Sequence, residues 1–126
     1  MTINPYLILV ACLFIVFDIL TGILSAFITG TFKSSVMRKG GLRKLFLVTV
    51  IGFGMLLDYA QHVADLGFSV PACHAICIYI ILMEALSCIE NFNKAVPGAL
   101  PTSITKLLYS AADSAGVDYD EGNKKE

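Results

Sequence analysis

The chain has 126 residues, 56% of them hydrophobic and 15% charged, with a net charge of −1 and a mean hydropathy of +0.76. A soluble domain of this size carries about a quarter charged residues, so the composition excludes an ordinary water-soluble globule and makes lipid part of the solvent. Charge is also segregated: residues 31–44 hold Lys33, Arg38, Lys39, Arg43 and Lys44 and no acid, whereas residues 45–90 hold four acids and no Lys or Arg.

Pro5 to Gly30 is the first predicted element. As a helix it extends roughly 39 Å, enough to cross a ~30 Å hydrocarbon core with tilt. Its fifteen Leu, Ile, Val and Phe residues, at about −0.3 to −0.6 kcal/mol each, outweigh a central Asp18 costing about 2.5–3.5 kcal/mol. No basic residue precedes this run and it exceeds the length of a secretory h-region, so it is expected to remain as a span. Asp18, Gly22, Ser25 and Thr29 fall on one helical face, and Gly22, Ala26 and Gly30 follow a small-xxx-small spacing that permits close helix approach.

Residues 31–44 read as a basic loop, with Gly40 and Gly41 as loop glycines rather than a phosphate cradle. Cytoplasmic loops are enriched in Lys and Arg, which places the N-terminus outside, this loop inside, the 65–69 turn outside and the C-terminus inside. The same five basic residues are candidates for contact with anionic lipid head groups. Spans two (about 45–64) and three (about 70–90) are close to break-even on the insertion scale, and such spans need helix partners. The second aligns Gly54, Asp58, Gln61, His62 and Asp65; the third gathers Cys73, Cys77, Glu84, Ser87, Cys88 and Asn91 on one side, with Glu90 near its end. Pro71 suits the first turn of the third helix. The break VPGALP follows, then a short amphipathic helix from Thr102 or Ser103 to Gly116, capped by one of those hydroxyls, and a charged tail over 117–126. The expected organisation is a three-span membrane domain over 1–92, the break and amphipathic helix over 93–116, and the tail.

Each span thus has an acidic seam and a lipid-facing remainder. A seam of this kind must face protein or water, because a carboxylate in lipid is costly. No Lys or Arg lies inside the predicted spans, so the acids are expected to be protonated, hydrogen-bonded between helices, or wet. The cysteines (Cys12, Cys73, Cys77 and Cys88) lack zinc-type pairings and read as packing residues. No catalytic grouping, metal site or cofactor is expected, and a basic loop in a membrane protein is no sign of nucleic acid.

Several stretches carry a resemblance. They are D-x-x-T-G at Asp18–Gly22, the serine and RKGGLRKL run ending at Leu45, Asp58 in LLDYA, and above all MEALSCIENFNKAVPGALP from Met83 to Pro101. Taken in order, this set resembles the toxin-secretion/phage-lysis holin family (phage holin family 4), with Cys88 where an isoleucine is usual. The resemblance implies an all-α, oligomeric integral membrane protein of the host cytoplasmic membrane. It would accumulate there and then open lesions that release an endolysin or a large toxin. Asp18, Gly22, Ser25, Asp58, Glu84, Ser87, Glu90 and Asn91 would serve helix association and pore lining. Membrane lipids and further copies of the chain are the expected partners. The alternatives are an antiholin or membrane adaptor, which would delay lysis by another protein, and a small proton-coupled transporter, which would leave the membrane potential intact.

Overall fold

In a computed structural model, residues 3–118 are described. They form four helices and no strand. Helix α1 spans Pro5–Thr29. The Asn4 side chain accepts from the amides of Tyr6 and Leu7, Pro5 occupies the first turn, and Gly30 closes the helix in the left-handed region at φ 70°. Nothing packs against Gly30, so the small-residue ladder stops at Ala26 and its last member is a cap.

Helix α2 spans Ser34–Val63, so the basic segment is not a loop. Hydropathy marks where a helix is apolar, not where it begins. Met37, Arg38, Lys39, Leu42, Arg43 and Lys44 are all good helix formers, and they carry the helix through Gly40 and Gly41. Helix α3 spans Ala72–Ala95, with Pro71 at its N-cap rather than inside its first turn. Helix α4 spans Thr102–Ala115. Its N-cap is Pro101 and no side chain caps it, contrary to the expected hydroxyl cap; Thr102 is already helical. At its other end Gly116, at φ 78°, turns the chain so that the Val117 amide bonds back to the Ala112 carbonyl. The charged tail beyond 118 lies outside the described residues.

Helices α1, α2 and α3 are each long and apolar enough to cross a membrane. Helix α3 is the centre of the bundle, and α1, α2 and α4 all pack on it. Ala11, Ile15, Ile51, Cys73, Cys77 and Ile80 form one core, and Leu86, Ile89, Tyr109, Ala112 and Val117 a second between α3 and α4. The amphipathic helix therefore packs on the bundle, but through Thr105, Tyr109 and Ala112; of the expected apolar stripe Ile104, Leu107, Leu108, Ala111, Ala112 and Ala115, the large Ile104 and Leu107 stay exposed. Leu9, Leu13, Val16, Leu20 and Leu24 stay exposed along the outer face of α1, the surface a lipid chain would cover.

Candidate functional site

The two cores are separated by a polar junction that all three long helices build. Asp18 is the one acid of α1, 4% exposed, and Glu84 of α3 is fully buried. Between them lies Lys44 of α2. Its Nζ stands 2.7 Å from Asp18 Oδ2 and 2.8 Å from Glu84 Oε2, and it donates a directed hydrogen bond to Glu84 Oε1 at 2.9 Å. The expectation that no base could reach these acids is therefore corrected. Because α2 begins at Ser34, Lys44 sits on a helix at the level of both acids rather than in a loop beyond them. Its long stem lets the ammonium reach inward while the side chain stays 23% exposed.

Asn91 ties the same acid to α3. Its Nδ2 donates to Asp18 Oδ1 at 2.9 Å and to Thr21 Oγ1 at 2.9 Å, with a longer contact of 3.3 Å to the Asp18 carbonyl. Thr21 Oγ1 in turn donates to that carbonyl, and Cys88 Sγ lies 3.9 Å from Asp18 Oδ1. Thr21 enters the sequence reading only as the threonine of D-x-x-T-G and not as a seam residue, although its position one turn after Asp18 is the signal that would have placed it there. Gly22 lies across from Asn91, where an added Cβ would stand 3.6 Å from Nδ2, ordinary van der Waals contact. Ser25 is buried one turn further on.

Asp58 is not part of this junction. It lies on α2 towards the 64–71 connection and reaches across to cap α3, its carboxylate accepting from the Ala72 amide at 2.8 Å and the Cys73 amide at 3.1 Å. Gln61 braces the same turn by accepting from the Val70 amide at 2.7 Å. Pro71 offers no capping side chain, so α2 supplies one for α3 from outside. The Asp58→Ala chain is expected to lose about 1–2 kcal/mol of bundle stability, the usual value of such a cap. Amide hydrogen exchange at Ala72 and Cys73 should quicken; unchanged protection there would show that the cap is not holding the turn.

The remaining candidates are dispersed. Ser87 and Glu90 are half-buried and line a cleft of about 330 Å³ with Arg43, Lys44, Glu84 and Asp118. Lys33 is the N-cap of α2, and Arg38, Lys39 and Arg43 are exposed along its first turns. His62 and His74 border a separate open cleft beside Asp58. Among the described residues no group of three or more His, Cys, Asp or Glu side chains is arranged to hold a metal ion. What the junction can do is structural: one cation and an amide hold two buried carboxylates, and with them three helices, in a single arrangement.

Neither curated proteins nor solved structures gave a match to the chain. A family model described as the bacteriophage holin family matches residues 2–111, a range that contains every residue of the junction and α4 as far as residue 111. The three membrane-length helices agree with that match, and the chain belongs to the bacteriophage holin family.

Proposed function

We propose that this protein is a lysis effector: it collects in the cytoplasmic membrane of a bacterial host, associates with further copies of itself, and opens lesions through which an endolysin or a large toxin leaves. The observation that carries the reading is the ionic junction of Asp18, Lys44 and Glu84. Charged groups inside membrane spans are rare and costly, and they mark the places where a membrane protein works. Held together, they favour a closed bundle with its polar groups turned inward. Exposed to water, the same groups are well solvated, so the junction can exist in two states. The holin family is a non-enzymatic membrane family, and the role assigned to these residues is packing and gating, not catalysis. The basic start of α2 supports an inside location for that end of the bundle, with the N-terminus outside.

The test is expression from a tight promoter in bacteria that also hold a cytosolic cell-wall hydrolase lacking its own export signal. A silent interval, then sudden loss of membrane potential and clearing of the culture, dependent on both proteins, is the expected result. Continued growth with the protein demonstrably in the membrane would refute the reading. If the protein instead delayed lysis by a second holin, it would be an antiholin acting through the same junction.

A further inference from the structure

The contacts between helices set their relative heights. Asp58 of α2 meets Ala72, Gly54 faces Cys73, and Lys44 meets Glu84, so α2 runs antiparallel to α3 in a constant register. Residues 34–44 therefore lie beside Glu84–Ala95. Helix α1 is held to the same stretch by Asp18 and Asn91. Counted down from the junction, α1 has eleven residues left to Thr29, α3 eleven to Ala95, and α2 ten to Ser34. At 1.5 Å per residue, the lower ends are level to within a few ångströms.

One consequence is that the charges of α2 do not hang below the ends of α1 and α3. Arg43 stands about 13 Å and Lys39 about 7 Å above the start of their helix. Those are the heights at which Leu20 and Leu24 of α1 are more than half exposed. At a single depth the bundle therefore shows an apolar outer face on α1 and, on α2, the exposed charges of Arg38, Lys39 and Arg43 interleaved with the exposed Leu42. On that side lies the cleft whose polar rim is Arg43, Lys44, Glu84, Ser87, Glu90 and Asp118 and whose floor is Leu47, Met83, Leu86 and Val117. Helix α4 brings its end there, with Val117 buried against α3. The flank of α4 carrying Lys106, Ser110 and Asp113 is exposed. So many charged groups at one depth do not face hydrocarbon, even with Leu42 and Leu107 exposed among them.

We propose that the cleft between α2 and the end of α4 is the water-facing wall of the assembled protein, while the leucine face of α1 is its lipid-facing wall. The inference rests on the lysis-effector reading and adds to it which surface turns to the lumen: the charged side of α2 with Ser87 and Glu90, the cleft that the Lys44 and Glu84 edge of the junction borders, while Asp18 stays inside the bundle.

Height-matched labels test this. In full-length protein with its four cysteines replaced by alanine, single cysteines are placed at Arg43 or Leu20, and at Lys39 or Leu24. Each is spin-labelled and reconstituted in vesicles that release an entrapped dye. Collision with a water-soluble nickel chelate and with oxygen is then compared. The Arg43 and Lys39 sites should favour the chelate over oxygen about tenfold more than their height-matched partners. Leaky vesicles in which both members of each pair respond alike, or in which the leucine sites are the wetter, would overturn the wall assignment and leave the lysis reading standing. Vesicles that stay sealed with every chain would remove the lysis reading and the wall assignment with it.

Discussion

Replacing Lys44 with methionine is expected to lower the stability of the three-helix bundle by about 3–5 kcal/mol, the usual cost of removing one partner from a buried ion pair. Methionine keeps most of the apolar stem, so the loss is that of the ammonium alone. Two carboxylates would then share a site with no counter-charge, Glu84 fully buried and Asp18 nearly so. Heat or denaturant unfolding in detergent micelles reads the effect. The triple replacement Asp18→Asn, Lys44→Met, Glu84→Gln removes all three charges while keeping hydrogen-bonding groups, and should recover most of the loss. In the lysis assay, Lys44→Met should shorten the silent interval if the junction holds the closed form. A Lys44→Met chain that melts within about 1 kcal/mol of the parent would show that the cation is not what holds the helices.

Gly54→Ala is the second large effect. A Cβ at that position would stand 2.9 Å from Ile76 Cδ1 and 3.0 Å from the Cys73 Cα. The isoleucine tip can swing aside, but the backbone of α3 cannot, so the helices must separate. Overpacking of this kind costs about 1–3 kcal/mol. Asp58 lies one turn further along the same face and reaches the first amides of α3 only because Gly54 lets the backbones close. The substitution should therefore also raise hydrogen exchange at Ala72 and Cys73. Gly52→Ala is the control: nothing lies within 4 Å of its Cβ position, and it should be neutral or stabilising by up to about 1 kcal/mol. Equal melting of the two alanine chains would refute the close-approach argument.

Much of the architecture is legible in the residues. Asn4, Pro5 and Gly30 bracket α1, where apolar length and capping chemistry agree. Gly116 identifies the end of α4, but its apolar stripe does not identify its docked face, because Ile104 and Leu107 stay exposed while Thr105 and Tyr109 are buried. The start of α2 is not legible in the same way, because a hydropathy profile reports the solvent around a helix and falls silent where the helix turns basic. That single shift conceals the partner of Asp18 and Glu84. Lys44 reads as a topology signal when placed in a loop and as an internal counter-ion when placed on a helix. The role of Asp58 is hidden for a different reason: a cap supplied by a neighbouring helix leaves no local signature, since the capping residue and the capped amides are fourteen and fifteen positions apart.

The sharing of one lysine by two acids also bears on how the chain is made. The first helix leaves the ribosome with Asp18 and no base. Lys44 follows within the next span, so this acid finds its counter-charge while the third helix is still unmade. Glu84 arrives last, at a site where Lys44 is already engaged. A nascent chain halted after the second helix would thus hold a one-to-one pair of Asp18 and Lys44 at the junction, and completion of the third would bring in a second acid there. The finished junction is in this respect less neutral than its own precursor, and the last helix to enter is the one that leaves it with more acid than base.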